Sequence, residues 1–183
     1  MGDSLGKIIA IFLAGILMFI FPLMETLQRQ DDVAQTTVLS ATTRFVDDVR
    51  NTRKITLERY TNFYTEISAT GNTYAIELEH KIKDENPGKK APLTGKDKIG
   101  ENIYYTKYTT QILDDGLYVA ANDEYNLKQG DLFYARVTNT NRTIGTMMQQ
   151  FLFRNDASAY KIVASHGGMV MWRMSKRGFE VRI

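Results

Sequence analysis

The sequence predicts an α+β protein: a long N-terminal helix, transmembrane at its start and continuing as an amphipathic stalk, bears a small head of antiparallel sheet and short helices. Three observations point that way. No charged side chain stands between Lys7 and Glu25, and no glycine or proline interrupts the chain from Leu23 to Thr70. Beyond that point the hydrophobic period alternates between that of a helix and that of a strand. The organisation expected from this is 1–25 as a transmembrane anchor, 26–54 as an amphipathic helical stalk and 55–183 as an extracytoplasmic α+β head.

The apolar run from Ile8 to Met24 is broken in character only by Gly15 and Pro22. At the helical rise it covers about 26 Å, close to the hydrocarbon thickness of about 30 Å, and Leu5 with a snorkelling Lys7 extends it. A cleavable export signal would end in a small-x-small site, whereas this run ends Phe-Pro-Leu-Met-Glu, so the segment is expected to be retained. The alternative, a buried core helix, would need a large soluble core around a segment hydrophobic on every face. With Lys7 ahead of the span, the expected topology is single-pass, N-terminus inside and head outside. Lipid gives apolar helices no hydrophobic reason to associate, so contact between copies relies on small and polar residues. Ala10 and Ala14 form a small-xxx-small pair next to Gly15. Together with Lys7, Phe12, Phe19, Pro22 and Glu25 they are the candidate membrane-anchor and assembly residues. Glu25 is either a partner for a neighbour's amino terminus or Lys7, or simply solvated.

In the stalk, Ala34, Val38, Ala41, Phe45 and Val49 paint one apolar stripe. One reading has its lower part facing the chain's own head; the other has its upper, membrane-proximal part facing copies of itself or a partner subunit. Thr36, Thr37, Thr42 and Thr43 lower intrinsic helicity and allow a local break. A second helix is signalled by Thr56 as cap, Glu58 in the first turn and Leu57, Tyr60, Phe63, Tyr64 and Ile67 at helical spacing. Alternation of Tyr74, Ile76, Leu78 and Ile82 with charged residues marks a half-buried strand. An exposed loop is expected from Asp84 to Asn102. Tyr104, Tyr108 and Ile112 fit a short helix, with a strand as the alternative. Asn126–Asp131 reads as a turn into a strand from Leu132 to Thr138. Thr143 then caps a helix whose Ile144, Met147, Met148, Phe151 and Leu152 form an apolar stripe expected to pack on the head's sheet, although a methionine stripe also suits a binding groove. Tyr160–Ala164 and Val170–Met174 read as a hairpin around Gly167-Gly168.

The chemistry-bearing residues exclude more than they suggest. With 23 basic against 21 acidic residues and a net charge of +2, nothing points to nucleic acid, and with no cysteine there is neither a disulfide nor a thiolate metal site. His80 falls on the apolar face of its strand, where a hydrogen-bonded core histidine outweighs a ligand. Ser158-Ala-Tyr-Lys161 has the spacing of an acylating serine and lysine without the partner motifs. Gly95-Lys96 lacks the earlier glycine of a phosphate loop, which Lys90 replaces. Asn141-Arg-Thr143 is a sequon. The expectation is no catalytic residue, no metal and no cofactor.

A short basic N-terminus, an apolar helix, an amphipathic continuation and a small α+β head together resemble the type IV pilin and pseudopilin plan. The pattern departs at the processing site, where Gly6 is followed by Lys7 and Ile11 stands where a glutamate is usual. GDLFYARVTNTNRTIGTMMQQFLF and GGMV are similar to anchored proteins of tight-adherence pilus or secretion machinery. The resemblance implies a structural subunit of an envelope assembly, whose partners are the membrane and other protein subunits, its own copies included. The alternative is an anchored extracytoplasmic head that binds a ligand or senses one.

Overall fold

A computed structural model describes residues 2–84, 104–118, 123–153 and 162–171. The order of elements is α1 (Gly2–Thr52), β1 (Lys54–Thr56), α2 (Leu57–Ser68), β2 (Tyr74–Lys83), β3 (Tyr104–Tyr108), α3 (Thr109–Ile112) running into a π-helical turn (Leu113–Leu117), β4 (Glu124–Asn126), β5 (Leu132–Asn139), α4 (Ile144–Phe153) and β6 (Val163–Met169). This is the α+β layout of a long N-terminal helix with a small antiparallel sheet and short helices.

The long helix persists because its threonines satisfy their own hydroxyls. Thr36, Thr37, Thr42 and Thr43 each donate to the carbonyl four residues back, at 3.0, 2.9, 2.7 and 2.8 Å. The break that their low propensity allowed does not occur, since back-bonding hydroxyls leave the helical ladder in place. Nor does Pro22 end the helix. Termination comes at Arg53, whose left-handed φ of 61° follows the last turn and whose N–H returns to the Val49 carbonyl.

A four-stranded sheet in the order β3-β2-β5-β6 is antiparallel throughout, and β1 and β4 form a separate pair. Register follows the pleat: Leu78 lies opposite Ala135 and His80 opposite Phe133, putting these side chains on one face with Val137 and Ala164. That inner face rests on the stripe Ala34, Val38, Ala41, Phe45 and Val49, all buried, with Val46 and Thr42 beside it. Helix α2 adds Phe63, stacked on Phe45 at 4.5 Å, while Phe133 meets Phe45 edge-on at 6.2 Å. Its N-cap is Thr56, which accepts from the Arg59 N–H.

Strand β6 runs beside α1 and is laced to it. Gln35 behaves like a short piece of strand, donating from Nε2 to the Val163 carbonyl at 2.7 Å and accepting the Val163 N–H at Oε1 at 3.0 Å. Three to four turns further along α1, Asp47 meets His166 and Arg50 donates to the Met169 carbonyl. The expected hairpin around Gly167-Gly168 is therefore corrected: β6 passes straight through both glycines. They serve close approach rather than a turn. A Cβ on Gly167 would stand 1.9 Å from the Tyr134 ring on the outer face, and one on Gly168 would stand 2.8 Å from the Arg50 guanidinium on the inner face. Trp172 and Tyr160 lie outside the described residues.

Two further expectations change. Tyr104–Tyr108 is a strand rather than the start of a helix, because its side chains alternate against β2, and only from Thr109 does the chain turn helical. Helix α4 has the predicted bounds but not the predicted orientation. It sets its small, polar side (Thr143, Gly145, Thr146) on α1 and leaves Ile144, Met147 and Phe151 exposed, Phe151 at 85%. The reason is steric: Gly145 lies against the Leu27 carbonyl and the Asp31 carboxylate, closer than a larger side chain would permit. Apart from Asp84, the expected loop up to Asn102 lies outside the described residues.

Phe133 is fully buried and joins β5 to α1, so Phe133→Ala is expected to cost about 3–5 kcal/mol. Tyr64→Ala, on the exposed side of α2, is expected to change stability by less than about 0.5 kcal/mol. Urea unfolding of the detergent-solubilised protein measures both.

Candidate assembly surface and the polar sites of the head

The eight candidate assembly residues all lie on the N-terminal part of α1 and all are exposed: Lys7, Ala10, Phe12, Ala14, Gly15, Phe19, Pro22 and Glu25. None of the most apolar eighteen-residue window of this helix is buried within the chain, and by length and composition the helix can cross a membrane. At roughly 100° per residue the eight do not share one face. Lys7, Ala10, Ala14 and Glu25 project one way, and Phe12, Gly15, Phe19 and Pro22 another. Nothing lies within 4 Å of a Cβ placed on Gly15. Glu25 accepts from Arg29 at 2.7 Å, an exposed pair one turn apart. That pairing is worth a few tenths of a kcal/mol. Lys7 of the same chain lies some 27 Å away along the helix axis, so only a neighbour's Lys7 could meet Glu25.

Below the head, Asp31 is buried where α4 docks. Thr143 donates from Oγ1 to Asp31 Oδ2 at 2.7 Å and accepts the Thr146 N–H at 3.2 Å, so one hydroxyl both caps α4 and fastens it to α1. Periodicity alone could not find this clasp; the signal was a buried-type spacing of small residues, Thr143, Gly145 and Thr146. The sequon residues are likewise occupied structurally. Asn141 accepts the Thr73 N–H and donates to Asn72, while Thr143 is the buried clasp.

Inside the head, His80 joins Asp131 and Tyr125 in a buried chain. Nε2 stands 2.9 Å from Asp131 Oδ2, Nδ1 stands 2.7 Å from the Tyr125 hydroxyl, and the Tyr125 ring meets the imidazole edge-on. A carboxylate only accepts, so a neutral imidazole donates from Nε2 to Asp131 and accepts the Tyr125 O–H at Nδ1. Asp131 also accepts the N–H groups of Lys83 and Lys128, closing the turn before β5. Burial lowers the His80 pKa below its ordinary value, against the opposing pull of Asp131. Burial first, then the Asp131 charge, pushes Tyr125 up to about 12. All three side chains are buried, so the arrangement is a fixed polar strut across the core rather than a group presented to a substrate.

On the sheet's outer face, Glu77, Glu79, Tyr108, Tyr134, Arg136 and Ser165 border an open hollow of about 860 Å³. Glu77 lies opposite Arg136 in register, and Lys81 sits over the Tyr134 ring at 5.4 Å. Among the described residues no group of three histidine, aspartate or glutamate side chains is placed to hold a metal ion. Ser158, Lys161 and the Gly95-Lys96 segment lie outside the described residues. Comparison with protein-family models, with curated protein sequences and with solved structures gives no match.

The His80 strut predicts a pH dependence. Because its folded pKa lies below the ordinary 6.5, the unfolded chain takes up the proton first as pH falls. The neutral histidine's contribution is thus complete above about pH 6.5 and is lost as pH falls from there through the folded value. His80→Gln retains one donor and one acceptor without titrating. The stability advantage of the wild type over this variant is expected to shrink between pH 7.5 and pH 5, read from urea midpoints; an advantage independent of pH contradicts the assignment.

Proposed function

We propose that this chain is a membrane-anchored, non-enzymatic structural subunit, pilin-like or pseudopilin-like, of an envelope pilus or secretion assembly, with its head outside the membrane. The observation that carries the reading is the continuity of α1. One helix runs from a wholly exposed apolar half into the core of the head without a break. A tether would need only a flexible linker. A rigid helix built into the head fixes the orientation of the head to that of the span, which is what repeated packing of subunits requires. The gathered polar groups of the head are compatible with a structural role, since His80, Asp131 and Tyr125 are spent on the core.

In a lipid setting the Ala10–Ala14 face is the part of the span where a second helix approaches most closely. A different face carries Gly15, so a partner that used both would wrap the helix. The second reading, an anchored ligand-binding head, draws on one observation: the hollow on the outer face, where Tyr108 and Tyr134 stand beside Glu77, Glu79 and Arg136. Such a mix of rings and charges suits a polar envelope polymer or peptide.

Two outcomes test the subunit reading. Replacing Ala14 and Gly15 together with leucine is expected to abolish co-purification with other subunits or self-association in mild detergent while leaving membrane insertion intact. Identical behaviour of wild type and variant would sink the assembly role. Protease applied to intact cells is expected to remove the head; protection until the cells are lysed reverses the topology.

A further inference from the structure

We propose that α4 is a membrane-interface helix, its exposed apolar face resting in the headgroup and upper acyl region of the bilayer that α1 crosses. The proposal rests on the reading of α1 as a span and adds a second point of lipid contact.

The topology places α4 at the underside of the head. Strand β6 is laced to α1 from Gln35, which holds Val163, to Arg50, which holds Met169. Antiparallel pairing sets Leu132 of β5 beside Met169 and Thr138 beside Val163, so β5 descends along α1 from the level of Arg50 to that of Gln35. The chain then continues in the same direction. Thr143 reaches Asp31, and Gly145 packs on the Leu27 carbonyl. Among the described elements of the head, α4 touches α1 closest to its apolar run.

The distances fit an interfacial position. Leu27 lies three residues beyond Met24, the last residue of the uncharged run, so about 4.5 Å along the axis. The polar layer on each side of the hydrocarbon is roughly 5–8 Å thick, which puts the Leu27–Gly145 contact inside it. The composition fits too. From Ile144 to Phe153 α4 carries no charged residue. Ile144 is 63%, Met147 48% and Phe151 85% exposed, all on the side away from Asp31. A helix washed by water would reverse this, with its apolar side on the protein. Here the small polar side is used up against α1, and the side left over suits the acyl boundary. Arg142, just before α4, donates to Gln150 of the same helix at 3.3 Å.

The absence of native cysteine makes the test direct. Full-length protein carrying Phe151→Cys, Phe19→Cys or Tyr64→Cys is labelled with an environment-sensitive nitrobenzoxadiazole dye. Each is reconstituted in phosphatidylcholine–phosphatidylglycerol vesicles with or without nitroxide-bearing acyl chains. All three positions are exposed, so the substitutions leave the fold in place. The expected result is a blue-shifted, nitroxide-quenched emission at positions 19 and 151, with position 151 quenched best by nitroxides near the headgroup, and neither effect at position 64. Quenching at 19 but not at 151, with unshifted emission at 151, overturns the interfacial helix and leaves the span standing. No quenching at 19 overturns the span and this inference with it. A blue shift at 151 without nitroxide quenching, together with disulfide crosslinking between unlabelled Phe151→Cys chains, assigns the face to a second copy instead and equally overturns the proposal.

Discussion

The inner face of the sheet has to be covered, and what covers its β5 and β6 strands is the stripe from Ala34 to Val49 on α1. Phe133, Ala135, Val137 and Ala164, on β5 and β6, bury themselves toward a single helix side, with α2 contributing Phe63 and Ile67 at the margin. Each other arrangement in the head answers to that contact. The alternation of β5 points its apolar set toward it. Gly168 of β6 lets the strand come near enough for Arg50 to lie across it. Gln35 satisfies both backbone groups of Val163 where the sheet meets the helix. Remove the stripe and the sheet is left with one wet face too many.

The same helix lives in two environments. Toward its start it is apolar on all sides and uncovered; from Ala34 onward it is apolar on one side and covered. The change happens within a few residues, and Asp31 marks it: a buried carboxylate whose partner, Thr143, arrives from the far part of the chain. No loop or glycine separates the two regimes. Threonine back-bonding keeps the ladder regular through the upper stalk despite modest propensity.

What was legible in the sequence was whatever is written locally. The Thr56 cap, the alternation in β2, the Leu132 strand and the bounds of α4 each depend on residues within a few positions of one another, and each was found. Facing was harder. An amphipathic helix has two sides, and the assumption that the apolar side turns inward failed for α4, because close packing of Gly145 and the Asp31–Thr143 bond selected the small polar side. Gly167-Gly168 misled for a related reason. Adjacent glycines suggest a turn, yet these are bare so that the Tyr134 ring and the Arg50 guanidinium, from positions far along the chain, can lie on them. The His80 strut was half legible: the strand period placed the histidine inside, but nothing local named Asp131 and Tyr125. The assembly residues were read as one group, and helical geometry divides them between two faces.

Consider, finally, the lacing between α1 and β6. Gln35 and Val163 are separated by 128 positions and Arg50 and Met169 by 119. During vectorial synthesis the helix emerges well before the strands that cover its stripe. Local helical structure can form at once, but the sheet cannot close on it until the distal strands have been made. For that interval the stripe is a bare apolar ridge on a newly made chain. Folding of the head is consequently a late, nearly concerted event, and a chain truncated before β6 would expose its ridge to whatever chaperone or protease is at hand.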